Sequence, residues 1–339
     1  MRLGIDSYSL RWQGWDAFQL LEYAAGLGLD NVHFSERANL ASLDEAYLRA
    51  LKRRADELGL QIELGMGSFD RYASTFRAEL GSGAEQLGAL LHAAAVVGSP
   101  VVRCFLGSQT ERLGPVPLAE HMEECVRTLR AVAPLARELG VKLAVENHGG
   151  VDLLARELRA LVEAAGPDCV GVCLDTGNPA YAAEDPLLTT EVLVPYVATT
   201  HVRDTRVWAT ERGAMAQWAP MGQGDVDLPR ILAILAERAP GVPIDLEIIT
   251  GTPPRDLPYW EPESEFWRMF PDMLARDFAR FVALAQRGKS APLEQLTLPP
   301  GTQLPPAEQA EAFREQQRRH FEESVRYARD VLGLGERGR

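Results

Sequence analysis

Eight times along this chain a short apolar run gives way to a longer amphipathic stretch. The runs are LGIDSY (3–8), NVHFS (31–35), IELGMG (62–67), VVRCF (101–105), KLAVENH (142–148), VGVCLD (170–175), VATTHV (197–202) and IDLEII (244–249). The stretches between them, such as WDAFQLLEYAAGLG and LLARELRALVEAAG, space apolar residues three to four apart, and several end at glycine. That is the period and the stop signal of a helix. Strands separated by helices pair in parallel, because a parallel connection needs a crossover of that length. Eight such units predict the α/β class and a (β/α)8 barrel, whose usual size of about 250 residues fits inside this chain. An open doubly wound sheet is the competing architecture, but no GxGxxG follows the first run. GSGAEQLG (81–88) has the wrong spacing and reads as the turn that opens a helix.

Two connections are long for a compact domain. Residues 203–227 follow the seventh strand and 250–275 the eighth, and they carry Trp208, Trp218, Tyr259, Trp260, Phe266 and Trp267. Long connections after barrel strands cover the catalytic face, so they are expected to form a lid or pocket wall; an ordered surface loop with a small core of its own is the plainer reading. From residue 288 the chain turns rich in proline and polar residues, and then becomes a charged amphipathic helix. The expected organisation is a barrel over 1–287 and a strap with a C-terminal helix over 288–339. That helix lies outside the eight units, placed to close the barrel bottom or to reach a neighbouring subunit.

The formal net charge of -13 repels phosphate backbones, so nucleic acid is not an expected partner. No stretch reaches the length of a membrane span, and MRLGIDSYSL has no signal-peptide core. The four cysteines, Cys104, Cys125, Cys169 and Cys173, show no CxxC or zinc-ribbon spacing and read as reduced, mostly buried thiols. A cytoplasmic protein is expected.

Polar residues interrupt the apolar runs at their C-terminal ends, where a parallel barrel builds its active site. Glu146, Asp175, His201 and Glu247 stand at similar depth on four successive strands. Any one of them alone reads better as a helix cap or an ion-pair partner; Asp175 in particular suits a cap for the turn at Gly177. Together they form a hard, oxygen-rich ligand set that suits Mn²⁺ or Mg²⁺, with Co²⁺ or Zn²⁺ as alternatives. Three carboxylates in one mouth would repel strongly without a cation. Side chains alternate along a strand, so His148 shares the face of Glu146 if the strand stays extended. His33 and Glu36, at the end of the second strand, are candidates to bind substrate hydroxyls or to cap a turn. Arg103 can meet a substrate oxygen or pair with a barrel carboxylate. Arg203 shares the face of His201 and can orient an anionic or keto group. MGQGDVD (221–227) is a glycine turn into the last helix, with Asp227 as its cap.

The segments AVENH, CLDTGNP, TTHVRD and LEI together resemble the sugar phosphate isomerase/epimerase superfamily, the xylose-isomerase-like TIM barrels, over about residues 1–285. The resemblance implies a metal held by Glu146, Asp175, His201 and Glu247. Ketose epimerases of this group usually carry a histidine three residues after the aspartate ligand, where this chain has Asn178, a candidate substrate contact along with Trp208. The ENH followed by two glycines is similar to the branch containing 3-oxo-isoapionate decarboxylase and the metal subunit of 3-keto-C-glycoside deglycosidases. The resemblance implies a keto-sugar or oxidised carbohydrate substrate and an enediolate, followed by reprotonation (isomerase or epimerase) or loss of a group (lyase). His148 is the first candidate for the base, with Glu146 or Glu247 as the alternative. A non-catalytic sugar- or metal-binding subunit is the competing function. A homo-oligomer or a small partner subunit is compatible with either.

Overall fold

The computed structural model describes residues 1–288, 291–299 and 301–336. Seven strands, β1 (Leu3–Asp6), β2 (Asn31–Phe34), β3 (Gln61–Ser68), β4 (Val101–Phe105), β5 (Lys142–Glu146), β6 (Val170–Asp175) and β7 (Val197–His201), pair in parallel in chain order. An antiparallel hairpin follows, β8 (Asp204–Ala209) and β9 (Ala214–Ala219). The eighth barrel strand, β10 (Ile244–Leu246), then pairs with β1. The ring closes through a parallel bridge between Val202 and Leu246. There Val202 N–H donates to the Asp245 carbonyl at 2.7 Å, and Glu247 N–H to the Val202 carbonyl at 3.1 Å. The eight-stranded barrel expected from the alternation is therefore the fold.

Seven helices, α1 (Ala17–Gly26), α2 (Glu45–Leu58), α3 (Gly83–Val97), α4 (Leu118–Leu139), α5 (Ala155–Ala165), α6 (Pro186–Leu193) and α7 (Leu228–Arg238), follow the first seven barrel strands in turn. Local chemistry sets their ends. Asp16 opens α1 and Ser82 opens α3 with reciprocal capping boxes, so GSGAEQLG is indeed a helix start. Asp227 caps α7 by accepting the Arg230 N–H at 3.2 Å. The strands of a parallel barrel are covered on both faces, which is why they read as nearly unbroken apolar runs.

Residues 203–227 are not a plain loop. The β8–β9 hairpin joins β11 (Arg255–Leu257) in a three-stranded sheet. Two helices, α8 (Glu265–Met269) and α9 (Ala275–Arg287), complete this part of the chain. Val207, Ala216, Leu257, Tyr259, Phe266 and Phe281 form an apolar cluster there, separate from the main core. The last helix, α10 (Ala310–Asp330), is the expected C-terminal helix, and it packs back onto the barrel. Phe321, Val325 and Ala328 join the same core as Ile5 and Leu246. Polar ties fix it between α1 and the turn before α7: Tyr23 Oη donates to Glu322 at 3.0 Å and Met221 N–H to Ser324 Oγ at 3.1 Å. The helical place after the eighth strand is thus filled by a segment some 60 residues downstream of it. Among the described residues, no helix is long and apolar enough to cross a membrane. All four cysteines are free and buried.

Candidate metal centre

Four strand ends meet at the C-terminal mouth of the barrel. Glu146, Asp175 and His201 are the last residues of β5, β6 and β7, and Glu247 is the first after β10. Asp175 and His201 are register partners. One ligand atom from each of the four lies within 4.8 Å of the others. Nδ1 of His201 is 3.1 Å from Glu146 Oε2 and 3.8 Å from Glu247 Oε2. His201 Nδ1 is buried without a hydrogen-bond partner, and Glu247 Oε2 meets the Arg203 guanidinium as an ion pair. A buried polar atom is costly to leave unmatched. An oxygen-rich set with one imidazole fits a hard divalent cation.

The charges support that fit. Burial raises the Asp175 carboxyl well above its usual range, with Glu247 and Glu146 adding to the rise and Arg203 opposing it. Burial would also raise Glu146, but Arg103 and His201 hold it well below. Burial opposes protonation of His201, yet Cys173, Glu146 and Asp6 raise it well above the ordinary value. Protein groups alone thus keep protons on the cluster, and a cation would take their place. Cys173 also approaches Glu146 and His201; burial pushes its thiol up to about 12, which makes it a poor ligand.

The residues between these strand ends lock them together. The Asn147 amide pairs with the backbone of Asp175, donating to its carbonyl and accepting from its N–H, each at 2.9 Å. Asp175 Oδ1 accepts from the N–H groups of Gly177 and Asn178 at 2.7 and 2.6 Å, so it caps the turn with one oxygen. Its other oxygen pairs with Arg203. Asn178 Nδ2 donates to the Asn147 carbonyl at 3.0 Å and lies 3.5 Å from Glu146 Oε1.

A cavity of about 680 Å³ opens above this centre, and Glu247, Arg103, Arg203, His148, Asn178 and Trp218 are among its walls. Arg103 pairs with Glu146 and lies 3.5 Å from Glu36, which also lines the cavity. Arg203 is 2.7 Å from Glu247 and sits over the Trp218 ring at 4.5 Å. The strand does not continue to His148, because β5 stops at Glu146. His148 nevertheless reaches the cavity wall, where its ring stacks on Phe105 with centroids 3.6 Å apart. Its Nδ1 donates to the Gly107 carbonyl at 2.7 Å, which puts the lone pair on Nε2. Burial brings its pKa down to about 4.

Two expected substrate contacts lie elsewhere. His33 is fully buried beneath His201, Nδ1 to Nε2 at 3.1 Å, and it is not part of the cavity wall. Trp208 is likewise absent from that wall, whereas Trp218 is present; Trp260 is 55% exposed. Asp152 escaped the reading of the sequence. Its carboxylate accepts from the N–H groups of Gly107, His148 and Leu153 at 3.0, 2.9 and 2.7 Å. It thereby shapes the turn that presents His148. The available signal was a carboxylate just beyond the two glycines.

The family model of xylose isomerase-like TIM barrels matches residues 21–270. The chain belongs to this family. Within it, the sequence is similar to a 3-oxo-isoapionate decarboxylase of Pectobacterium atrosepticum, 25% identical over 211 residues that cover 60% of this chain and 69% of that one. In structure, this family member resembles a D-psicose 3-epimerase from Clostridium cellulolyticum H10 solved with D-tagatose. The TM-score is 0.60 at 16% identity, over 84% of this chain and 96% of the other. It also resembles a xylose isomerase-like TIM barrel protein from Mycobacterium smegmatis solved with magnesium, TM-score 0.59 and 15% identity over 84% and 96% of the two chains. At these identities the structural likeness speaks for the fold.

Proposed function

We propose that this protein is a divalent-metal-dependent enzyme that removes a proton next to the carbonyl of a keto-sugar or oxidised carbohydrate. The observation that carries the reading is the convergence of Glu146, Asp175, His201 and Glu247 within 4.8 Å at the barrel mouth. These four would hold the metal, with Mn²⁺ or Mg²⁺ preferred by the donor set. When bound, the metal supplies Lewis-acid polarisation of the substrate carbonyl. His148 is the base: its Nδ1–H is fixed to Gly107, its Nε2 carries the lone pair, and its low pKa keeps it neutral at working pH. Arg103 and Arg203 face the same cavity and favour the negative charge that develops on the carbonyl oxygen as the proton leaves. Trp218, whose backbone N–H donates to Tyr181 Oη (3.1 Å), lines the same cavity and packs its ring against the Arg203 guanidinium, which holds that cation in the wall. The relatives' names fit either outcome of such a proton abstraction, return of the proton (isomerase or epimerase) or loss of a group (lyase).

The test is metal content. Asp175→Asn and Glu247→Gln should each lower bound Mn²⁺ or Mg²⁺ at least about tenfold and leave the circular dichroism unchanged. Stoichiometric metal in the double variant overturns the assignment. Metal retained by the wild type, with no turnover of any ketose or 3-keto-sugar, would favour a binding subunit over an enzyme.

A further inference from the structure

Three arginines line the cavity, and two of them are matched by carboxylates: Arg103 by Glu146 and Glu36, Arg203 by Asp175 and Glu247. The third, Arg11, is not. Among the described residues it forms no ion pair, and its two hydrogen bonds go to backbone carbonyls, Tyr8 at 3.2 Å and Thr250 at 3.5 Å. Its Nε is buried and has no hydrogen-bond partner. A guanidinium carries five N–H groups in one plane and keeps its proton. Among the described residues, three of those donors have no protein partner and remain for a ligand.

The fold takes trouble to hold this cation still. Its faces lie against the rings of Tyr8 at 4.4 Å and Trp12 at 4.2 Å, both also in the cavity wall. Trp12 is fixed in turn by the C-terminal segment: its Nε1–H donates to the Gln303 carbonyl and its backbone N–H to Gln317 Oε1, both at 3.2 Å. A ring of Phe313 meets it edge-on at 5.5 Å. Burial disfavours the charge on Arg11, and Glu247 and Asp6 oppose that without forming an ion pair with it; a ligand that brings a negative charge into contact would stabilise it further. The planar fork suits an oxyanion held by two parallel hydrogen bonds.

We infer that Arg11 binds an anionic group on the substrate, a carboxylate or a phosphate at the end of the sugar away from the carbonyl that reacts. This inference rests on the proposed sugar chemistry of the cavity and narrows it to acidic sugars. Tyr8 and Trp12 keep the fork oriented, so the anion fixes which carbonyl lies beside His148.

The test compares three open-chain probes that differ at one end: D-gluconate, D-glucitol 6-phosphate and neutral D-glucitol. Each is titrated calorimetrically into the Mg²⁺-loaded full-length protein. At least one anion should bind about tenfold or more tightly than D-glucitol, and Arg11→Gln should abolish that preference while leaving D-glucitol binding as it was. Whether gluconate or the phosphate gains identifies the oxyanion. Arg11→Lys keeps the charge without the fork, should fall between the two, and serves if Arg11→Gln does not fold. Equal binding of all three probes by the wild type overturns the inference, and so does an anion preference that survives in both variants, because the cation at the barrel mouth then explains it. Failure of the metal reading appears separately, as no Mg²⁺ uptake; the loss of anion preference in Arg11→Gln is still read in that metal-free protein.

Discussion

His148 owes its place to three neighbours rather than to its strand. Asp152 fixes the turn, the Gly107 carbonyl fixes the tautomer, and Phe105 fixes the ring plane. His148→Ala should therefore keep metal content and thermal stability near wild type and lose about 10²-fold or more in kcat, the range for removing a general base. Loss of metal in this variant would make His148 a ligand; normal turnover would pass the base role to Glu146 or Glu247. Its pKa of about 4 also sets a pH window. The neutral, basic form persists above that value, so this group alone should leave kcat flat from neutral pH down to about pH 5 and depress it below. The residue identities at the strand ends were legible because four ligand-type side chains finish four successive apolar runs, a coincidence that caps and ion pairs explain singly but not together. Directions were less so. His33 stands at a strand end too, but it points beneath His201. Trp218 pairs with Thr205 and Trp208 with Met215 across the hairpin; an odd offset along β8 puts the two indoles on opposite faces, and only one reaches the cavity.

Elements are joined at the barrel mouth by buried polar ties, and one of them makes stability depend on pH. Glu184, just before α6, accepts from Ala155 N–H at the start of α5 (3.1 Å) and from Thr189 Oγ1 (2.8 Å). Burial raises its carboxyl to about 7 from an ordinary 4.5. Between those values the folded chain holds a proton that the unfolded chain has released. The contribution is complete below about 4.5 and is lost as pH rises through about 7. Glu184→Gln cannot ionise, so it should gain on wild type by up to about 3 kcal/mol between about pH 5 and pH 8. Melting curves of the two proteins at both pH values check this, and a constant difference would mean that Glu184 is charged throughout. Element positions followed from periodicity over most of the chain, because apolar runs and amphipathic turns differ in period. The hairpin was hidden for a physical reason. Val207 and Ala216 pack with Phe281 and Ala285 of α9 rather than into the barrel core, and the aromatic residues that mark the hairpin read equally well as a lid.

At the scale of the whole molecule the chain closes on itself late. The barrel's eight strands are complete at Leu246, yet the groove beside β1 and β10 is filled only by α10, which begins at Ala310. Sequence periodicity sees an amphipathic helix there but not its partner, since nothing local says which groove it enters. The packing decides. Phe321, Val325, Ala328 and Leu334 add apolar surface to the main core, and Phe313 closes against Trp12 at the mouth. The far end is stitched down as well, with Arg329 donating to the carbonyls of Leu27 and Gly28 and Gly335 N–H to that of Met1. Several fully buried large side chains contribute about 1.5–3 kcal/mol each, a sum comparable to the net stability of a domain. A chain ending at residue 288 should therefore fail to accumulate as soluble folded protein, and adding the 301–336 segment in trans should recover part of it. If the shortened chain instead melts cooperatively within a few degrees of the full-length protein, α10 is an appendage, and the platform under Arg11 would have to be held by some other contact.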